Sequence, residues 1–243
     1  MTALTLDSIA LRGAGVVTIA QPAKGFRFTL DSLLLADFCR IKPGDRVLEP
    51  GAGTGIISLL LAKKFPKTRI VADEIEPVAY NLLVRNIELN ELGRSVVPID
   101  QDIACLDHAV TSARFDVIVA NPPYIALGSG RTSPSLKRRT ARQDQSSSLN
   151  TWLNLHSLLK NKGRYVLVFT AQRAAELISL LRERNIEPKR MRFVHPYAHR
   201  QATLVLIEAV KAAGTGTEIL SPLIVHECGG GYTAEMKEIY GIT

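Results

Sequence analysis

Between Val47 and Ala120, short apolar runs alternate with stretches of helical spacing. Val47–Leu48 follows the turn Pro43-Gly44-Asp45, Ile70–Ala72 follows Phe65-Pro66-Lys67, Val96–Ile99 follows Gly93, and Phe115–Ala120 follows a polar stretch. Ile56–Lys64 and Val78–Leu89 lie between them with apolar residues at helical intervals. Strands that alternate with helices form a parallel sheet covered on both faces. The second half extends this rhythm. Leu149–Leu159 reads as a helix, Gly163–Thr170 as a buried strand and Ala171–Arg184 as a helix, followed by strands at Met191–His195 and Ala202–Glu208. The last two strands are joined by HPYAHRQ, which is too short for a crossover helix. The sheet is therefore expected to end in an antiparallel pair.

Two segments fall outside this pattern. Residues 1–40 hold short strand signals and then a helix running to about Cys39, capped by Thr29 or Asp31. They are read as an N-terminal extension packed on a domain spanning 41–243. Residues 125–148 are polar and aperiodic, and a loop of that length in a compact chain is usually functional or disordered. No internal repeat is present.

Composition narrows the functional classes. The chain has 243 residues, 46% of them apolar and 22% charged, as expected of a globular protein able to build its own core. Cys39, Cys105 and Cys228 are far apart and form no C-x-x-C pair, which argues against a disulfide framework or a thiolate zinc site. MTALTLDSIA is not a signal peptide, and the longest apolar run, Ile56 to Ala62, is broken by Ser58 and too short to span a membrane. These features place the chain in the cytoplasm. The net charge of +7 is concentrated: residues 131–142 carry five bases and no acid, and 160–200 carry ten bases and three acids. The rest of the chain is net acidic. A basic region on such a body suits a polyanion, nucleic acid before membrane.

Ligand chemistry is concentrated in VLEPGAGTGIISLLLA, Val47–Ala62. Gly51, Gly53 and Gly55 form G-x-G-x-G directly after a strand, where a tight turn lets a ligand approach the backbone. The spacing is one residue shorter than in a dinucleotide fingerprint. Glu49, two residues upstream, would repel a pyrophosphate but suits a ligand carrying an ammonium or sulfonium charge. The second strand ends in Asp73-Glu74-Ile75-Glu76. An acid at that point can bind both ribose hydroxyls, and Glu74 is the preferred candidate, with Ile75 beside it. Glu76, followed by Pro77, equally suits a helix start. Asp102, after the third strand, is placed to accept from an adenine amino group, although the same position suits a cap for the following segment. Together these acids fit an adenosine ligand with a cationic tail.

VLEPGAGTG, the acid after the second strand, Asp102 and FDVIVANPPY resemble, in order, the motif series of class I S-adenosylmethionine-dependent methyltransferases, over residues 25–210. The resemblance implies a Rossmann-like seven-stranded sheet with its last strand antiparallel, and S-adenosylmethionine as cofactor. It also implies that Phe26, Phe28 and Asp31 close over that cofactor, although a core helix with aromatic anchors would read the same way.

Asn121-Pro122-Pro123-Tyr124 ends the fourth strand. The exocyclic amine of adenine is a poor nucleophile because its lone pair is delocalised into the ring. Two acceptors aimed at its N–H groups, the Asn121 side-chain oxygen and the Pro122 carbonyl, would favour a more pyramidal nitrogen. Consecutive prolines restrict the backbone and hold that carbonyl outward. Tyr124 can stack on the base. Asn121 also borders the cofactor pocket. In-line displacement at a methyl then needs positioning but no metal. In methyltransferases this tetrapeptide resembles the signature for planar amino groups: adenine, guanine, cytosine or a glutamine side chain.

The flanks narrow the substrate. KGFRFTLDSLLLADF, RTSPSLKRRTARQD, FVHPYAHRQATLVLIEAVKAAG and SPLIVHECGGGYTAEMKEIYG resemble the bacterial tRNA(Val) adenine-N6 methyltransferases, which modify the adenine beside the anticodon. The loop departs from the family at Ala141-Arg142-Gln143-Asp144, where His and Glu are expected at the last two places, and 125–127 also looks variable. The resemblance implies tRNA as partner. Lys137, Arg138, Arg139 and Arg142, close behind Tyr124, could hold phosphates flanking a splayed loop nucleotide. A protein glutamine methyltransferase or an rRNA methyltransferase would use the same tetrapeptide, and a non-catalytic RNA-binding module would keep the fold. His195 and His199 are read as a polar hairpin near RNA and Trp152 as packing. Tyr232 and Tyr240 belong to either a lid or a docked tail.

Overall fold

The computed structural model describes residues 3–24, 28–106, 114–123 and 149–242. The chain opens with a hairpin, β1 (Leu4–Leu11) and β2 (Gly15–Pro22), in antiparallel register with Leu4 opposite Pro22. Helix α1 (Leu30–Phe38) begins after Thr29, which makes no side-chain cap, and buries Leu33, Leu34 and Leu35. The alternating core follows: β3 (Arg46–Glu49), α2 (Ile56–Lys64), β4 (Arg69–Asp73), α3 (Pro77–Leu89), β5 (Val96–Ile99) and β6 (Phe115–Ala120). The second half carries α4 (Leu149–Asn154), β7 (Leu159–Thr170), α5 (Ala174–Glu183), β8 (Ile186–Tyr197) and β9 (Leu204–Lys211). Two short strands, β10 (Glu218–Ile219) and β11 (Leu223–His226), precede helix α6 (Ala234–Ile239).

The strand order is β5-β4-β3-β6-β7-β9-β8. β3, β4, β5, β6 and β7 run parallel, whereas β9 is antiparallel to both β7 and β8. This is the expected seven-stranded core with its reversed strand, and one correction applies. Among the described residues the sheet has nine strands, because β10 and β11 add in parallel along the outer edge of β8. Their two and four residues carry too little periodicity to register in the chain, and their partner lies about 30 positions upstream.

Alternation along the strands sorts side chains onto two faces. Val47, Val117, Val119, Val166 and Val168 join one buried cluster with α1, α2 and α6. Leu48, Ile118, Ala120, Leu167 and Phe169 join the other with α4 and α5. The expected helix Leu149–Leu159 stops at Asn154 and continues as a 3-10 turn to Leu158, because Leu159 already pairs with Phe115 at the start of β7. The hairpin is tied to the core by α3. Asn86 Oδ1 accepts from Ala20 N at 2.7 Å, and Asn90 Oδ1 accepts from Thr18 N at 3.0 Å. Two side chains one helical turn apart thus act as a surrogate strand for the edge of β2. The result is a sheet whose parallel strands all deliver their C-terminal ends to one rim.

Candidate active site

At that rim, β3 passes into the glycine turn. Gly51 and Gly53 have φ of +61° and +59°, in the left-handed region that residues with a Cβ rarely adopt. Gly51 is also closed from below. A Cβ there would lie 2.5 Å from Trp152 Cη2, so the indole is the floor of the turn. Ala52 N donates to the Asp73 carbonyl at 2.7 Å, locking the turn to the end of β4.

Glu74 sits one residue past β4, buried, with its carboxylate between two backbone segments. Oε2 accepts from Gly53 N and Oε1 from Glu76 N, each at 2.8 Å. Each carboxylate oxygen has two lone pairs, so these bonds leave acceptor capacity at the rim. Ile75 beside it is 51% exposed and offers an apolar surface. Glu76 takes the helix-start role: it precedes Pro77 and accepts from Ala79 N at 2.8 Å. Asp102 stands past β5, its Oδ1 accepting from Ala104 N at 2.9 Å within a tight turn. The turn role and the rim position therefore coexist there.

Two further carboxyls are buried. Glu49 faces inward, where its Oε2 accepts from the Ser58 hydroxyl of α2. Burial pushes its pKa up to about 8, against the lowering effect of Ser58. Glu49 thus stands behind the turn as a neutral acid near pH 7 and does not open onto solvent. Asp73 Oδ1 accepts from Gln101 N at 2.9 Å, while its buried Oδ2 has no hydrogen-bond partner among the described residues. Its pKa rises to about 7, chiefly through burial and then despite the Gln101 bond.

Asn121 follows β6 directly and is partly buried, Pro122 is buried and Pro123 is exposed. The Asn121 amide nitrogen donates to Ser32 Oγ of α1 at 3.3 Å, which orients its carbonyl oxygen away from α1. Phe28 packs partly buried against the core, with its N–H 3.4 Å from Gln21 Oε1, and Asp31 lies on the first turn of α1. One rim therefore brings together the glycine turn, Glu74, Ile75, Asp102, Asn121, Pro122 and the start of α1. Phe26, Tyr124, Lys137, Arg138, Arg139 and Arg142 lie outside the described residues. Ser32 and the floor role of Trp152 had no signal in the chain, because each acts on a residue distant in sequence, whereas Ser58 broke the apolar run Ile56–Ala62 without showing that Glu49 is its partner.

The second basic stretch is largely neutralised within the protein. Lys160, Arg164, Arg173, Arg182, Arg190 and Arg192 pair with Asp116, Asp45, Glu176, Glu187, Glu208 and Glu235. Arg190 is buried, donating also to the Phe38 carbonyl at 2.6 Å. Among the described residues no group of three or more His, Cys, Asp and Glu could hold a metal ion, and no helix is long and apolar enough to cross a membrane.

The donor set fits S-adenosylmethionine. A carboxylate at the end of the second parallel strand, an apolar neighbour, an acid at the next strand end and a left-handed glycine turn match a ribose, an adenine and a backbone-hugging tail.

Residues 38–127 match the model of the TRM5/TYW2 methyltransferase domain. A tRNA1(Val) (adenine(37)-N6)-methyltransferase from Flavobacteriaceae bacterium (strain 3519-10) is 29% identical over 189 residues, covering 72% of this chain and 78% of the relative. The protein of that description from Porphyromonas gingivalis (strain ATCC 33277) is 27% identical over 226 residues, covering 89% and 88%. Among solved structures, a predicted O-methyltransferase, Atu636 from Agrobacterium tumefaciens, superposes with a TM-score of 0.69 at 20% identity, over 87% of this chain and 96% of that one. That likeness concerns the fold.

Proposed function

We infer that the chain belongs to the bacterial tRNA(Val) adenine-N6 methyltransferase family and transfers a methyl group from S-adenosylmethionine to the N6 amine of an adenine beside the anticodon of a tRNA. The observation that carries the reading is Asn121, a carboxamide at the end of β6 held by Ser32 on the rim that carries the glycine turn and Glu74.

Bound S-adenosylmethionine supplies an electrophilic methyl group. Glu74 orients the ribose hydroxyls, Ile75 lies against the adenine and Asp102 accepts from its amino group. The Asn121 oxygen and the Pro122 carbonyl each accept one N–H of the target amine and draw its lone pair out of the aromatic ring. Tyr124 stacks on the target base, and Phe28 and Asp31 border the cofactor. Lys137, Arg138, Arg139 and Arg142 hold phosphates on either side. The long match to relatives described as tRNA methyltransferases favours RNA over a glutamine side chain.

The test is incubation with methyl-labelled S-adenosylmethionine and total tRNA from a strain lacking the gene, followed by nucleoside mass spectrometry. N6-methyladenosine in an anticodon loop is expected. Label in another nucleoside, or in protein glutamine, overturns the assignment.

A further inference from the structure

We propose that Asp73 is a positioning residue for the adenosine half of the cofactor: its buried carboxyl ties the turn that carries Asp102 to the glycine turn, and so sets Asp102 against the adenine amino group. The inference rests on the functional reading above, which gives that contact to Asp102 and leaves Asp73 without a task.

Asp73 is the last residue of β4 and is wholly buried. It joins the two turns. Its carbonyl accepts from Ala52 N of the glycine turn at 2.7 Å, and its Oδ1 accepts from Gln101 N, next to Asp102, at 2.9 Å. The β4–β5 ladder closes with Asp73 opposite Ile99 and with Glu74 N donating to the Ile99 carbonyl at 3.0 Å. Gln101 stands two residues beyond β5, past the last backbone pair, and the Asp73 side chain takes the place of a ladder acceptor. The chain then folds back on itself: Asp102 Oδ1 accepts from Ala104 N, and the Asp102 carbonyl accepts from Cys105 N at 2.7 Å. Among the described residues, the bond from Gln101 N to Asp73 is the hydrogen bond that fastens this turn to the rest of the rim. Ile103 and Leu106 pack against the second buried cluster, but apolar packing is non-directional and does not aim the Asp102 carboxylate.

Energetics point the same way. Ile70, Val71 and Ala72 precede Asp73 on the strand, and a fourth apolar residue would end it without penalty. A carboxyl sealed from water costs free energy that one backbone hydrogen bond does not return in full. Its Oδ2 has no partner among the described residues. The charged groups around it are all acids, Glu74 on its own strand end and Asp100 and Asp102 beyond β5, and they add to burial in raising its pKa to about 7. A group that stability alone does not favour, placed at the joint of two ligand-binding turns, is the local conflict that functional sites carry. Near pH 7 much of the population holds it as a neutral acid, whose carbonyl oxygen still accepts from Gln101 N. The task is therefore that of an acceptor of this reach, which an amide can also perform.

The test measures S-adenosylhomocysteine binding by calorimetry for the wild type, Asp102→Ala, Asp73→Leu and the double variant. Leucine keeps the volume and removes the acceptor. Asp102→Ala should bind roughly 10- to 100-fold more weakly, as the loss of one charge-assisted hydrogen bond requires. Asp73→Leu should lose about 3- to 10-fold, and the double variant no more than Asp102→Ala alone, because two residues that act through one contact are not additive. Asp73→Asn retains an acceptor and should stay within about 3-fold of the wild type, less than one full hydrogen bond. If Asp73→Leu fails to fold, Asp73→Ser, too short to reach Gln101 N, takes its place in the cycle. A double variant whose loss is the product of the two single losses makes Asp73 an independent structural group and overturns the inference alone. So does an Asp73→Leu variant that binds like the wild type, or an Asp73→Asn variant that binds as weakly as Asp73→Leu. Asp102→Ala that binds like the wild type overturns both the inference and the adenine contact of the functional reading. Wild-type protein that does not bind S-adenosylhomocysteine overturns the cofactor assignment and the inference with it.

Discussion

The Asn121 amide nitrogen reaches Ser32 Oγ at 3.3 Å across 89 positions of the chain, linking the C-terminal end of β6 to the first turn of α1. A carboxamide is nearly symmetric in shape, and only its hydrogen bonds decide which end faces the substrate. Ser32 is buried, so its hydroxyl holds the amide end of Asn121 without competing solvent. Ser32→Ala should lower kcat about 3- to 10-fold, in line with the loss of one net hydrogen bond. S-adenosylmethionine affinity should stay as it was. Steady-state kinetics with a separate binding measurement check the split.

In the mechanism proposed above, Asn121→Ala removes an acceptor aimed at the amine. A single preorganised polar group at a reacting centre commonly contributes about 100-fold or more in kcat. Single-turnover methyl transfer should fall by that factor, while calorimetry with S-adenosylmethionine changes little. A variant with full activity would move the chemistry elsewhere.

Glu74 holds Gly53 N and Glu76 N, and in the function proposed above it also faces the ribose. Glu74→Gln keeps the volume and one acceptor but removes the charge. Charge-assisted hydrogen bonds contribute about 1.5–3 kcal/mol. S-adenosylmethionine affinity should therefore drop about 10-fold or more, while the melting temperature falls by only a few degrees, because one of the two backbone N–H groups loses its acceptor. Equal losses in both would mean that Glu74 acts only as a brace for the turn.

Motifs whose parts lie close in sequence were legible in the chain. The glycine turn follows its strand directly, Glu74 comes directly after the next strand, and the β8–β9 connection is too short for any crossover. What the chain concealed depends on distant partners. β8 runs from Ile186, five residues before the expected Met191, because a register shift between Pro188 and Arg190 lets the strand continue past the proline. Glu49 follows the apolar pair Val47–Leu48, and nothing local shows that its carboxyl turns inward to Ser58. Six of the ten bases in residues 160–200 are held in ion pairs, such as Arg192 with Glu235, 43 positions away. Charge counts along a chain cannot separate a solvated base from a paired one.

Asn86 joins three parts of the molecule. Its Oδ1 accepts from Ala20 N at 2.7 Å, and its Nδ2 donates to the carbonyls of Ala20 and Thr54 at 3.0 and 2.9 Å. The side chain is fully buried, and Thr54 belongs to the glycine turn. Asn86→Ala leaves a backbone N–H and two carbonyls unpaired in the interior. The cost should be about 3 kcal/mol or more, since each buried unsatisfied group costs about 1–3 kcal/mol. That corresponds to a fall in melting temperature of roughly 6–12 °C for a chain of this size. Calorimetric melting measures it.

The Glu49 carboxyl gives the protein a pH dependence opposite in sign to that of an ordinary salt-bridged acid. Its pKa stands at about 8 in the folded protein, raised by burial from a normal 4.5. Between those values the native state keeps a proton that the unfolded chain has released. Stability therefore falls as pH rises through this window, and the full penalty is reached above pH 8. Asp73, at about 7, acts in the same direction. The melting temperature of the cofactor-free protein should be highest near pH 5 and decline by several degrees toward pH 8.5. Glu49→Gln, uncharged throughout and able to hydrogen-bond Ser58, should flatten much of that slope and melt higher than wild type at pH 8.5. A wild-type melting temperature that rises over this range would mean that Glu49 is ionised in the folded protein.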